Sequence, residues 1–154
     1  MKIIFLAVWA TILFCSCEQK EVVPLPYKDQ LSKDVAAIDN YLVANKISAE
    51  KDTSGFRYLI SVKGNDFKPV LADSIKVNYS LNLLEGRIIL DKAFNTLLLD
   101  KLIKPWKYIL PSIGEGGKLT LYIPSGLAYG KNGAGSSIPP NANLFFDVEL
   151  IDVK

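Results

Sequence analysis

The chain has 154 residues, of which 49% are hydrophobic and 22% charged, so it suits one globular domain with a short appendage and excludes wholesale disorder. Eighteen Lys and Arg against 16 Asp and Glu give a net charge of +2 without a basic cluster, so no nucleic-acid partner is expected. The chain has no histidine and only two cysteines, Cys15 and Cys17, which excludes Ser-His and Cys-His catalytic pairs and leaves no metal site to expect.

The N-terminus has the organisation of an export leader. Lys2 precedes an uncharged, apolar run of twelve residues, Ile3 to Phe14, which is typical of a signal-peptide core and shorter than the about 20 residues of a spanning helix. Ser16 and Cys17 then lead into polar residues, which resembles a bacterial lipoprotein signal. The pattern predicts a signal peptide at 1–16, acylation of Cys17, for instance with palmitate, and anchoring to a bacterial membrane in the cell envelope. An ordinary cleaved signal and an uncleaved apolar anchor are the alternatives.

A tether and a helix are predicted next. Residues 17–27 contain Pro24 and Pro26 and predict an extended tether behind the lipidated cysteine. Region 28–50 follows as an N-terminal helix, expected from about residue 28 to residue 45. Its apolar residues recur at intervals of four, three and four, which places them on one helical face: Leu31, Val35, Ile38 and Leu42. This stripe packs either on the domain that follows or on a second copy of the chain.

The rest of the chain, 51–154, is predicted to form one domain rich in strands. After a polar turn at Lys51–Gly55, apolar residues alternate with polar ones, the pattern of half-buried strands. The predicted strands are 56–62, 75–83, one that starts at 87–90, 119–123 and 144–150. In the first of them, Phe56 and Val62 belong to the apolar face and Arg57 to the polar face.

One short helical pattern interrupts these strands. Trp106, Ile109 and Ile113 follow helical spacing, Pro105 is acceptable near a helix start, and later breakers limit the helix to about two turns. Several antiparallel strands with one short apolar helix predict an α+β domain in which a curved sheet wraps over that helix.

The glycine-rich segments do not form a cofactor motif. Gly114–Lys118 lacks the glycine spacing of a phosphate-binding loop and precedes a strand, so it predicts a turn. Gly130–Gly135 lacks the dinucleotide-binding order, and Ser125-Gly126 lacks the nucleophile-elbow pattern. No cofactor is expected.

An ordered set of motifs over half the chain resembles a known family. Leu102–Trp106 stands at the head of the short helix, Leu127–Gly130 precedes the glycine loop, and Ile138–Ala142 and the strand Leu144–Leu150 follow. Together they resemble the FKBP-type peptidyl-prolyl cis-trans isomerases, from about Lys76 to Val153. The resemblance implies a rotamase that accelerates X-Pro isomerisation in proline-containing segments of unfolded or exported proteins and aids their folding outside the cytoplasm.

The resemblance also implies roles for individual residues. Trp106 would form the floor of a proline pocket, the Ile103 N–H would donate to the substrate carbonyl, and the Tyr129 hydroxyl would make a second polar contact. The implied walls of the pocket are Tyr79, Leu102, Ile138 and Phe146.

Three features depart from the family pattern. Pro105 replaces the glycine that usually precedes the tryptophan, and the segment between Gly86 and Trp106 is shorter, without a counterpart to the charged flap. At the two positions where the family carries a Phe-Asp pair, an ungapped alignment places Ile89 and Leu90.

A β-bulge with one extra residue would instead place Leu90 and Asp91 at these two positions. We favour this register, which makes Leu90 a pocket residue and Asp91 catalytic together with Tyr129.

The alternatives to an isomerase are a non-catalytic proline-binding chaperone or interaction module with the same fold and, more distantly, a purely structural lipoprotein.

Overall fold

The computed structural model describes residues 25–154, without the side chains of Leu25, Pro26 and Asp91. The predicted signal peptide and Cys17 lie outside these residues. Within them, no helix is long and apolar enough to cross a membrane. The elements are helices α1 (Leu25–Ala44) and α2 (Lys104–Ile109) and strands β1 (Glu50–Lys51), β2 (Arg57–Val62), β3 (Ser74–Leu83), β4 (Ile88–Leu98), β5 (Lys118–Ile123) and β6 (Leu144–Val153).

The six strands form one antiparallel sheet in the order β1-β2-β5-β6-β3-β4. Because side chains alternate along a strand, Phe146 and Val148 of β6 are buried on the inner face, whereas Phe145 packs on the outer face. The predicted α+β fold, a curved antiparallel sheet over one short helix, is confirmed. Strand β1 was not predicted: its residues pair with β2, Glu50 opposite Tyr58, just where a polar turn was expected to begin.

Helix α2 covers the inner face of the sheet. Trp106 and Ile109 are buried there, and Leu110 in the 3₁₀ turn that follows is fully buried. The helix begins after Ile103, which is extended, so Pro105 lies in the first turn, where the missing N–H would have no partner in the helix. Pro111 lies in the 3₁₀ turn that ends the segment. The predicted length of about two turns is therefore correct.

Helix α1 packs on the outer face of the same sheet. Ile38 and Leu42 are buried beside Tyr122 of β5, with Phe145 of β6 packed against them. The apolar stripe of the helix therefore packs on the domain that follows. The helix starts at Leu25 rather than near residue 28, so the last residues of the predicted tether 17–27 are helical. This is possible because proline is tolerated in a first helical turn.

Strand β2 corrects the predicted pattern at both ends. Arg57, expected on the solvent face, is only 5% exposed, whereas Val62 is 44% exposed. Arg57 is buried because α1 lies over this part of the sheet. The Arg57 Nε donates to Asp39 Oδ1 at 2.9 Å, and the Arg57 Nη2 donates to Asp39 Oδ2 at 3.0 Å. A bidentate carboxylate thus satisfies the buried guanidinium, and the ion pair joins α1 to the sheet.

We expect Asp39→Asn to destabilise the protein at neutral pH and to have a smaller effect in acid. The hydrogen bond from Arg57 lowers the pKa of Asp39 from its ordinary value of 3.8, against the opposing effect of burial. A lowered pKa means that this stabilisation is fully present well above pH 3.8 and decreases below it, as pH falls through the lowered pKa of the folded state. Since one third of the Asp39 side chain is exposed, screening limits the loss to about 1–2 kcal/mol at pH 7.

Urea unfolding of wild type and Asp39→Asn at pH 7 and at pH 3 measures this difference. Asp29→Asn, an exposed carboxylate on the same helix, is the control and should behave as wild type. An equal loss of stability at both pH values would show that Asp39 acts by packing and not through its charge.

Candidate active site

Three aromatic side chains from three elements meet on the inner side of the sheet. The ring centroids of Tyr79 and Phe146 lie 5.4 and 5.5 Å from that of Trp106. Both rings stand nearly perpendicular to the indole, at 90° and 87°. Strands β3 and β6 are neighbours in the sheet, with Leu81 opposite Phe146, so pairing brings the two wall rings together above α2.

These rings line a cavity of about 320 Å³. Trp106 is 3% exposed and lies beneath it, whereas Tyr129, 40% exposed, lies at its open side. The full lining is Tyr79, Leu81, Leu97, Lys101, Leu102, Ile103, Trp106, Tyr129 and Phe146. A concave, mostly apolar and aromatic site with few polar groups suits a flat, uncharged ring such as that of proline.

The structure brings together most of the residues that the sequence selected. Six of them line the cavity: Tyr79, Leu102, Ile103, Trp106, Tyr129 and Phe146. Leu90 and Ile138 are not among the lining residues. Leu90 is half-buried against the main core and Ile138 is buried within it. The role of each residue in binding stays a prediction.

Sequence reasoning missed Leu81, Leu97 and Lys101. Leu81 belongs to the same alternation as Tyr79, so the period-two pattern of β3 could have found it. Leu97 lies near the end of β4, which extends to Leu98, whereas only a strand start was predicted. Lys101 follows that strand, and only the return of the chain towards α2 brings it to the cavity.

Ile103 precedes the first residue of α2 and offers a backbone donor to the cavity. Its carbonyl accepts hydrogen bonds from the N–H groups of Trp106 and Lys107, at 3.1 and 3.4 Å. Its own N–H has no acceptor among the described groups. This geometry agrees with the donor role that the resemblance implies, because a free N–H beside an apolar cavity can bind a substrate carbonyl.

The loop after Tyr129 is held by backbone contacts. Ala134 and Ile138 pair across it, with N–H···O distances of 2.9 and 3.1 Å, and the Gly130 carbonyl accepts from Asn141 N–H at 2.9 Å. Gly133 has φ +63°, and a Cβ there would lie 2.2 Å from the Ile138 carbonyl oxygen. A glycine is therefore required at this position, and the loop has a defined backbone conformation after Tyr129.

The pairing of β3 with β4 shifts where the family carries its Phe-Asp pair. Tyr79 pairs with Ala93, but Leu81 pairs with Leu90. Two residues of β4, Asp91 and Lys92, thus lie opposite one residue of β3, which is the arrangement of a β-bulge. A second shift lies on the Gly86 side of Leu90, because Asn82 pairs with Ile88 and leaves Ile89 as an extra residue. The bulged register requires such an extra residue ahead of Leu90. The side chain of Asp91 lies outside the described part of the structure, so its catalytic role stays a prediction.

We expect Tyr129→Phe to lower proline-substrate turnover by about two- to tenfold, because it removes one hydrogen bond, worth about 0.5–1.5 kcal/mol, and keeps the ring. Tyr108 of α2 is 71% exposed and is not part of the cavity lining, so Tyr108→Phe is the matched control. Proline-limited refolding measures the activity of both variants. If Tyr129→Phe and Tyr108→Phe accelerate refolding equally, Tyr129 is not part of the site.

Residues 65–151 match the protein family described as FKBP-type peptidyl-prolyl cis-trans isomerase. This chain belongs to that family. The match to the FKBP-type family begins ahead of Lys76, where the sequence resemblance starts, and it does not include α1, β1 or β2.

Several FKBP-type proteins are similar in sequence. The isomerase FkpA of Escherichia coli is 37% identical over 116 residues, which cover 72% of this chain and 42% of that protein. The peptidyl-prolyl cis-trans isomerase FPR2 of Saccharomyces cerevisiae is 39% identical over 94 residues, which cover 56% of this chain and 70% of that protein. This chain therefore spans less than half the length of FkpA.

Solved structures of peptidyl-prolyl cis-trans isomerases share the fold. The crystal structure of FkpA from Escherichia coli superposes with a TM-score of 0.69 at 33% identity, covering 82% of this chain and 64% of that one. A peptidyl-prolyl cis-trans isomerase from Pseudomonas syringae gives a TM-score of 0.68 at 28% identity, covering 86% of this chain and 98% of that one. Both cover more of this chain than the family match does.

Proposed function

We propose that this protein is a peptidyl-prolyl cis-trans isomerase that acts on proline-containing segments of exported proteins and aids their folding outside the cytoplasm. The observation that carries the proposal is the aromatic cavity in which Tyr79 and Phe146 stand on Trp106. Membership of the FKBP-type family supports the same activity.

The cavity can favour isomerisation without a nucleophile or a metal. Rotation about the X-Pro bond has a barrier of roughly 18–20 kcal/mol, because the planar amide is stabilised by charge separation between its oxygen and nitrogen. An apolar, water-excluding site disfavours that charge-separated planar form relative to the twisted one. Trp106 beneath the proline ring and the free Ile103 N–H on a substrate carbonyl outside the rotating X-Pro amide would hold the proline residue while the preceding peptide rotates.

A proline-limited refolding assay tests the activity. The full-length chain, purified in detergent, should accelerate the slow refolding phase of a protein that has non-native prolyl isomers in its unfolded state. A phase that keeps its uncatalysed rate at micromolar concentrations of this protein would contradict the proposal.

The second candidate is a non-catalytic proline-binding chaperone or interaction module. The observation that favours it is the altered Phe-Asp position, where the sequence reads Ile89-Leu90-Asp91 and the half-buried Leu90 pairs with Leu81. Under this candidate, calorimetric titration with a proline-containing peptide would show binding while the refolding phase stayed unchanged. The two measurements together separate the candidates.

A lipid anchor in the bacterial cell envelope is the proposed location. The support is the sequence pattern of residues 1–17, in which an apolar run and Ser16 precede Cys17. The proposed division of the chain is a signal peptide at 1–16, the lipidated cysteine and tether at 17–27, a region at 28–50 that contains most of α1, and the isomerase domain at 51–154. Acyl chains on Cys17 would place the domain near a membrane surface, since two or more chains anchor a protein stably.

We expect labelled fatty acid to be incorporated into the wild-type chain and not into Cys17→Ser when both are expressed in a bacterium. Cys15→Ser is the matched control, because this second cysteine lies two residues away and inside the predicted leader. Labelling of Cys17→Ser at the wild-type level would rule out the lipid anchor at this residue.

A further inference from the structure

A buried carboxylate on α1 belongs to none of the groups that line the cavity. Asp34 is 2% exposed, and its Oδ2 accepts two hydrogen bonds from Ser125, from the backbone N–H at 3.0 Å and from the hydroxyl at 2.6 Å. Its Oδ1 accepts from Gln30 Nε2 at 2.7 Å. Burying a carboxylate is costly unless its oxygens are hydrogen-bonded, and three donors compensate for that cost here.

The partner of Asp34 begins the segment that carries Tyr129. Ser125, 1% exposed, opens a 3₁₀ turn, Ser125–Leu127, whose first carbonyl accepts from Ala128 N–H at 3.0 Å. Tyr129 follows at once and places its side chain in the cavity lining. The hydrogen bonds to Asp34 therefore hold the start of a five-residue segment, 125–129, that ends in the site.

Two further contacts restrict the same segment. The first turn of α1 packs on it, because a Cβ on Gly126 would lie 2.6 Å from the ring of Tyr27. Asn143 Oδ1 also accepts from the Ser125 N–H, at 3.1 Å. After Tyr129, the Gly130 carbonyl is held by Asn141. The backbone of the segment that carries Tyr129 is thus held on both sides, and α1 supplies contacts at its start through Asp34 and Tyr27.

We infer that Asp34 is a positioning residue of the isomerase site, through which the N-terminal helix sets the Tyr129 hydroxyl over the cavity. This inference rests on the proposed isomerase function. It extends the functional unit beyond residues 65–151, because α1 lies outside the family match. The helix is then more than a spacer between a lipid anchor and the domain.

The test compares two truncations on one helix in the full-length chain. Asp34→Ala removes the contact with Ser125, whereas Asp39→Ala removes an ion pair to Arg57 that joins the same helix to the sheet far from Tyr129 in sequence. Both should destabilise the protein. Only Asp34→Ala should lower kcat/KM for a proline peptide, by about the factor that Tyr129→Phe produces. Asp34→Asn, which keeps an acceptor oxygen for Ser125, should restore most of that loss.

A double-mutant cycle and hydrogen exchange decide the mechanism. If Asp34 acts through Tyr129, adding Asp34→Ala to Tyr129→Phe should lower kcat/KM by less than twofold, because the hydroxyl is already absent. Amide exchange in segment 125–130 should be faster in Asp34→Ala and unchanged in Asp39→Ala. Equal loss of activity in both truncations, additive effects in the cycle, or unchanged exchange in 125–130 would each overturn the inference.

The exchange measurement does not depend on activity. If the wild type fails to accelerate prolyl refolding, the proposed function is wrong, while faster exchange at 125–130 together with weaker proline-peptide binding in Asp34→Ala would still support the positioning role. If the wild type leaves the slow refolding phase unchanged and amide exchange at 125–130 is also unchanged in Asp34→Ala, both the proposed function and the positioning role are contradicted.

Discussion

Trp106→Ala is expected to reduce proline-peptide binding more than tenfold. The indole lies under the cavity and contacts both wall rings, so its loss removes the flat apolar surface on which a proline ring would rest. Truncating a buried tryptophan also costs about 3–5 kcal/mol of folding free energy. Binding must therefore be measured by calorimetric titration on protein shown to be folded by its circular dichroism.

A second substitution keeps this prediction testable if Trp106→Ala does not fold. The Trp106 Nε1 is buried without an acceptor in the described part of the chain, so Trp106→Phe removes an unsatisfied donor and keeps an aromatic ring. We expect this variant to fold and to bind proline peptides several-fold more weakly. Tyr108→Ala, an exposed aromatic on the same helix, is the control. Wild-type affinity in a folded Trp106→Ala protein would show that the cavity is not the proline site.

Asp91→Ala is expected to lower isomerase activity several-fold without unfolding the domain. In the bulged register, Asp91 takes the acidic place of the family's Phe-Asp pair, where a carboxylate can orient a hydroxyl such as that of Tyr79 or Tyr129. Asp91→Asn retains an acceptor and should keep more activity than Asp91→Ala. Lys92→Ala, the exposed neighbour in the same bulge, is the control for disturbance of the strand.

The ungapped register makes the opposite prediction. If Leu90 holds the acidic place, Asp91→Ala would leave the refolding rate unchanged, and the wild-type protein would have weak activity or none. Leu90→Asp would then raise the activity. Under the bulged register, Leu90→Asp should instead lower it, because Leu90 is half-buried against the main core and a carboxylate there is poorly solvated.

Residue patterns alone located most of the elements. The alternation in β3 and β6 predicted those strands, because a half-buried strand must place every second side chain in the core. The helical spacing of Ile38 and Leu42 predicted α1 for the corresponding reason. The resemblance selected Trp106, Tyr129 and Phe146, and all three line one cavity. Local periodicity is sufficient to predict an element when the burial of its residues depends only on the face of that element on which they lie.

Three of the misjudged features depend on a second element. Arginine is a residue type that is usually exposed to solvent, and only the ion pair with Asp39 on α1 makes the burial of Arg57 favourable. Strand β1 has two polar, exposed residues and exists because β2 offers it an edge. The extension of β4 to Leu98 depends on pairing with β3. No pattern within these segments encodes the partner that stabilises them.

By itself, the sequence determined the fold class, the two helices and the set of aromatic residues, because amphipathic periods and the motif order lie along the chain. Only the tertiary structure decided that α1 packs on the outer face, that β4 carries a bulge opposite Ser80, and that Asp34 holds the turn before Tyr129. These features are contacts between residues distant in sequence. Each depends on which surfaces pair after collapse, and that pairing is set by the free energy of the whole domain rather than by any one segment.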